Sequence, residues 1–388
     1  MRRLFLSLAC ASLFFGATAS VQAQGQPRLF YGQDCQPQPP CGQYHFLPTP
    51  APGQPAAPGQ TTPGQPTPAP GTEPYLPTAP FAQAPMQGTA AAESFNPNMI
   101  GDFPTYYFTP HSFRSGPYSS SYSSSRKIPI AGRSNFKVAE NESPRATTRV
   151  YFGFNHFSDV SRKFDAPDAR STDYRSSLLG FEYAFCGNRA SVGVRIPYTV
   201  LDSKDDGAIN SSNIGDITLT SKYVLWDDER TGDVLSIGCL VTIPTQETAF
   251  DEFGQPFRST LIQPWTGFIC NVTNSCFLQG FSSVTIPTAS EDASIWFNDI
   301  GVGFRCYENP DACWLAAIVP TLELHAATPL SKRGLDVEPI GVTDMVNLTG
   351  GLHFICTNRA SLTVGAATPV LGQRLFNWEG IVQLNWRF

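Results

Sequence analysis

Charge is scarce in this sequence: Asp, Glu, Lys and Arg make up 15% of its 388 residues, against roughly a quarter in an ordinary soluble domain. A net charge of −6 lacks the basic excess that a nucleic-acid partner demands, so none is expected. Beyond the first residues, no run approaches the ~20 apolar residues of a membrane-spanning helix. An integral protein of this sequence must therefore cross as a closed β-barrel. Only helices and barrels satisfy their own backbone hydrogen bonds in lipid. No phosphate loop or dinucleotide fingerprint occurs, and no Cys/His spacing fits zinc. No cofactor and no metal are expected.

The first 23 residues read as a secretory signal peptide. Arg2 and Arg3 form a positive start, Leu4 to Ala19 is apolar or small, and Val21-Gln22-Ala23 offers a cleavage site. Residues 24–126 read as a disordered Pro/Ser-rich arm. Pro52-Gly53-Gln54, Pro58-Gly59-Gln60 and Pro63-Gly64-Gln65 repeat within a Pro/Ala/Thr tract, and Ser119 to Ser125 is of low complexity. Such stretches carry too little apolar area to offset the entropy of ordering. Cys35 and Cys41 suit a local disulfide after export. Residues 127–146 are neither repetitive nor strand-like and read as a periplasmic lead-in or a small plug.

From residue 147 to 388 the texture changes. Twelve segments of about ten residues alternate apolar and polar side chains, the period of a strand with two different faces. Leu179, Phe181, Tyr183 and Phe185 alternate with Gly180, Glu182 and Ala184; Val192, Val194, Ile196 and Tyr198 alternate with Ser191, Gly193 and Arg195. The segment at 277–287 is the least regular. Short turns such as Cys186 to Arg189 interleave with long polar loops near 159–173, 201–214, 246–260, 288–294 and 326–341, the outer-membrane arrangement. Ile196-Pro197-Tyr198, Ile243-Pro244-Thr245, Ile286-Pro287-Thr288, Val319-Pro320-Thr321 and Thr368-Pro369-Val370 each read as falling late in an upward strand. There a residue without an N–H predicts a bulge or ladder break. The final strand sets Trp378, Gly380, Val382, Leu384, Trp386 and Phe388 on one face. Trp386 and Phe388 are the candidate signal for the outer-membrane assembly machinery.

The fold class expected is thus all-β: a transmembrane antiparallel up-and-down barrel of about 12 strands, preceded by the Pro-rich arm. Its place would be the outer membrane of a Gram-negative-type bacterium, in contact with lipid, with the arm in the periplasm.

Particular motifs sharpen this. Gly215-Asp216-Ile217-Thr218-Leu219-Thr220-Ser221-Lys222-Tyr223, Gln263-Pro264-Trp265-Thr266-Gly267, Leu348-Thr349-Gly350-Gly351-Leu352-His353-Phe354 and the ending Val382 to Phe388 resemble a family of uncharacterised outer-membrane barrels from planctomycete bacteria. More distantly they are similar to transporter barrels assigned to a phenol meta-degradation pathway. The resemblance covers about residues 127–388 and implies a channel or uptake barrel without a catalytic motif.

Strand parity places Glu182, Arg195, Asp216, Lys222, Arg305, Glu323, His325, His353 and Arg387 on the face opposite the apolar band, as candidate pore-lining residues. Charges there are costly in lipid but natural around water. They suit either a pore wall or a lattice bracing a closed barrel. His156-Phe157-Ser158 superficially matches the His/Ser pair of barrel phospholipases, but Asp159 follows where that pattern has Asn, so no enzyme is expected. Asp205-Asp206, Asp251-Glu252 and Glu291-Asp292 in the long loops offer oxygens to Ca²⁺, or are simply solvated charge. Cys270 and Cys276 flank a short turn with matching parity and form a candidate disulfide. The functional expectation is a narrow channel or uptake pore for small solutes. The alternative is a structural barrel anchoring the envelope through its Pro-rich arm.

Overall fold

The computed structural model describes residues 96–102, 107–108, 128–129, 137–160 and, apart from stretches of the connecting loops, 172–388. The leader, the repeats, Cys35, Cys41 and the acidic pairs at 205–206 and 251–252 lie outside the described residues.

Twelve long strands form the barrel. They are β1 (Arg149–Ser158), β2 (Thr172–Phe185), β3 (Ala190–Ser203), β4 (Ile217–Asp228), β5 (Asp233–Ile243) and β6 (Leu261–Asn271). The second half comprises β7 (Cys276–Pro287), β8 (Ile295–Phe304), β9 (Ala317–Pro329), β10 (Met345–Cys356), β11 (Ala360–Gly372) and β12 (Trp378–Arg387). Each pairs antiparallel with its sequence neighbours, and β12 closes on β1 from Trp378↔Ser158 to Arg387↔Arg149. No edge is left open, so every ladder is satisfied within the sheet. At ~3.3 Å per residue and a tilt near 40°, strands of 10 to 14 residues rise about 25–35 Å, the height of a hydrocarbon layer.

The two faces follow from the alternation. Along β1, Arg149, Tyr151, Gly153, Asn155 and Phe157 are buried inside, while Val150, Phe152 and Phe154 are exposed outside. β3 and β4 continue the pattern, with Val192, Ile196, Leu219 and Tyr223 outward and Ser191, Arg195, Thr218 and Lys222 inward. Tight turns join β2–β3, β4–β5, β6–β7 and β10–β11 at one mouth, hereafter the turn end. The β8–β9 connection, 305–316, lies at this end too, and the remaining connections lie at the other, the loop end.

Two expectations are corrected. Pro320 does not lie late in an upward strand: it is the fourth residue of β9, at the turn end, in regular register opposite Leu352. It sits beyond the last β8–β9 pair, Gly303↔Thr321, where no ladder bond needs its missing N–H. Pro329 instead closes that strand at the loop end. The other prolines do mark strand or ladder limits there. β3 stops pairing with β4 at Arg195↔Thr218, just before Pro197, and the register shifts at Pro369 opposite Asn347. Second, Cys270 and Cys276 are not bridged. Cys270 faces Leu278 across the β6–β7 ladder, and Cys276 closes against Val272. The two cysteines share a face but sit two positions out of register.

Candidate functional site

The barrel interior is filled by its own N-terminal chain. Residues 96–102 and 137–146 run antiparallel through the lumen, joined by the Met99↔Glu142 bridge, with Asn141 N donating to Ile100 O. The sequence assigns 96–102 to the arm, yet Asn96, Asn98, Met99, Ile100, Gly101 and Asp102 are all buried. Met99, Val138 and Ala139 pack against the inward Tyr151, Leu178, Leu240, Trp265 and Phe281, and Ile100 packs on Ala367 and Ile381. Glycine makes the room. A Cβ on Gly351 would lie 2.5 Å from Ile100, and one on Gly101 (φ +83°) would lie 2.6 Å from the Glu140 Cα.

Two ionic clusters hold these segments to the wall. In the first, Glu142 accepts from Lys222 (2.7 Å), Arg195 (2.8 Å) and Arg149 (3.1 Å), all buried. Glu182 backs it, binding Arg149 at 2.8 Å and Lys222 at 2.9 Å, and Arg195 Nε donates to Tyr151 Oη at 3.0 Å. Burial alone would raise the Glu142 carboxyl, but Lys222, Arg149 and Arg195 outweigh it and hold it down at about 2. Two residues away the balance reverses. Burial pushes Glu140 up to about 7, against Arg195 and a hydrogen bond from Asn155.

The second cluster lies nearer the loop end. Glu323 accepts from the backbone N–H groups of Ile100 (2.8 Å) and Gly101 (2.9 Å). His325 sits between Asp299 (2.8 Å) and Glu323 (3.2 Å). Lys137 Nζ lies 2.5 Å from Asp102 and 3.2 Å from Asp299. Burial disfavours that ammonium, but the two carboxylates overcompensate and raise it. Asp102, Asp299 and His325 bring ligand atoms within 4.8 Å of one another, a set that suits a metal ion. Lys137 supplies the positive charge at that point instead. Asn347 to Asp102 (2.6 Å), Thr349 to Gly101 O (3.1 Å) and Gln383 to Ile100 O (2.7 Å) complete the grip.

The remaining sequence candidates do not form one ring with these. Arg305 lies at the turn end, bound to Asn96, Asn271 (2.6 Å) and Asn274 O (2.6 Å), with Glu308 at 3.4 Å. Arg387 is partly exposed there and lines a cavity of about 270 Å³ with Asn98, Arg145 and Asp227. Asp216 is at the loop end and accepts from Thr245 N. His353 stands apart, between Thr321 (3.0 Å) and Thr363 (2.8 Å). His156 stacks edge-on to Trp378 at the loop-end rim. Sequence reasoning missed Asp102, Lys137, Glu142, Arg149 and Asp299. The inward surplus of Arg149, Arg195 and Lys222 over Glu182 was the available signal, because buried cations require partners.

The sequence matches no protein-family profile, and comparison with characterised proteins finds no match. Solved structures share the fold at low identity. An outer membrane channel from Pseudomonas putida F1 is 12% identical with a TM-score of 0.47, covering 63% of this chain and 97% of the other. The KdgM porin in complex with disordered oligogalacturonate gives 9% identity and 0.38 over 61% and 99% of the two chains. The NanC porin gives 9% and 0.40 over 62% and 98%.

Proposed function

We propose that this chain is an integral outer-membrane barrel, and that it is a channel for small solutes closed at rest by the segments in its lumen. The carrying observation is the inversion of its two surfaces. The outward face exposes Phe152, Leu179, Tyr183, Val192, Leu219, Leu322 and Leu384, while the inward face buries Arg195, Lys222, Asp299 and Glu323. A soluble protein does the reverse, and an apolar belt of this extent finds its solvent in lipid. The wall behind the plug supports a channel: Thr218, Gln263, Gln279, Ser283, Thr363 and Gln383 line it, and the Gln279 amide has no protein partner. Without residues 96–146 these groups would face water, which suits them. Twelve strands make a narrower tube than the 16–18-stranded porins, so the solutes are small. In this reading the loop end faces the exterior and the turn end the periplasm.

The test is planar-bilayer recording of the full chain beside a variant lacking residues 96–146. The full chain should be closed for most of the record, and the variant should conduct steadily. A variant that inserts and stays silent overturns the channel reading and leaves the anchoring barrel, which the filled lumen also suits.

A further inference from the structure

We infer that the chain threads its own barrel as a hairpin, with legs 96–102 and 137–146 in the lumen and with residues 107–108 and 128–129 beyond them on the side of the long loops. The depth of each contact carries this. Asn96 bonds Arg305 and Asn271, where β6 ends at the turn end. Asn98 bonds Asn385, near the bottom of β12. Ile100 and Gly101 reach Glu323 in mid-barrel, and Asp102 bonds Asn347, the third residue of β10 from the loop end. The first leg therefore climbs from turn end to loop end.

The second leg descends. Lys137 lies beside Asp102, Asp299 and the Phe297 ring in the loop-end half. Glu142 meets Arg149, Arg195 and Lys222 lower down, Pro144 O accepts from Ser236, and Arg145 binds Gly232 O in the β4–β5 turn. The chain then enters β1 from the turn end. The two legs are in contact at Asp102 and Lys137, their ends nearest the loop end.

An independent pairing agrees. Residues 107–108 pair with 340–341, in the long β9–β10 loop, and with 128–129. The sequence between the legs carries Arg114, Arg126, Lys127 and Arg133 and no Asp or Glu. Calling the loop end the exterior rests on the orientation under Proposed function; sharing a side with the other long loops does not.

The test places one epitope tag per variant in the full-length chain: after Ser121, after Gly207 in the β3–β4 loop, or after Glu229 in the β4–β5 turn. Antibody staining compares intact with permeabilised cells. The Ser121 and Gly207 tags should stain alike, and the Glu229 tag oppositely. A Ser121 tag that follows Glu229 overturns the inference. If Gly207 is hidden and Glu229 stains, the orientation fails, and the threading still stands or falls on whether Ser121 follows Gly207. Should the Ser121 tag block assembly, trypsin on intact cells bearing the untagged chain decides. Cleavage after Arg126 together with Arg333 of the β9–β10 loop supports the threading; cleavage after Arg333 with Arg126 intact overturns it.

Discussion

Glu142→Gln should unseat the luminal hairpin. The carboxylate pairs with three buried cations, at 2.7, 2.8 and 3.1 Å. Glutamine keeps the size and loses the charge. Glu182 still serves Arg149 and Lys222, whereas Arg195 keeps Tyr151 and the Lys137 carbonyl but loses its ion pair with Glu142. Breaking a buried pair from one side costs about 3–5 kcal/mol. The displaced pKa gives a similar figure: a carboxyl held at about 2 against an ordinary 4.5 stabilises docking by about 3 kcal/mol. At 1.4 kcal/mol per tenfold, the docked-to-undocked ratio should fall by roughly two to three orders of magnitude. The docked pKa is depressed, so this stabilisation is full above pH 4.5 and fades as pH falls toward 2. Single-channel recording at pH 7 should show the variant open far more often than the wild-type chain, and wild type should open increasingly below pH 4.5. Unchanged open probability in the variant at pH 7, with proper insertion, would refute the view that Glu142 locks the hairpin.

Glu140→Gln should act in the opposite sense. With the docked carboxyl raised to about 7, wild-type docking weakens as pH rises from 4.5 to 7, and the variant should lose that slope and close more tightly at pH 8, read by conductance against pH. Gly101→Ala should destabilise docking by at least about 1 kcal/mol, because φ is +83° and the new Cβ would meet the Glu140 backbone; earlier proteolysis near Asp102 on warming would report it. Phe388→Asp should keep the chain out of the membrane fraction. Phe388 N donates to Thr148 O where β12 seals against β1, and its ring is exposed on the apolar face; normal insertion of the variant would count against an assembly role.

The barrel was legible because its signal is local. Each strand states its two faces within ten residues, and closure follows from an apolar belt that tolerates no edge. The segment at 277–287 was less regular for a reason the fold supplies: Phe277 and Phe281 point inward, onto neighbours in the lumen and wall. Such inward aromatics, with Tyr151 and Trp265, already implied something apolar inside. Residues 127–146 allow a lead-in or plug reading from sequence, but the hairpin as such was not legible. Its legs are too short to show a period, and their partners are remote in sequence: Ile100 binds Glu323 and Gln383. The cysteine pair failed on register, which parity cannot supply, since a shift of two residues preserves the face.

Both legs of the hairpin enter by one mouth, and this has a mechanical consequence. The insert is a bight of rope, not a thread passed end to end. It can be withdrawn without opening the seam between β1 and β12 and without passing a free end through the wall. The legs differ in attachment: Ala146 runs within a few residues into β1, which begins at Arg149, whereas the first leg has no such strand beside Asn96 among the described residues. Tension applied to residues before Asn96 would load Asn96, Asn98, the Ile100–Glu323 bonds and Asp102 in series, like the teeth of a zip. Tension on the other leg would meet the Glu142 contacts with Arg149, Arg195 and Lys222.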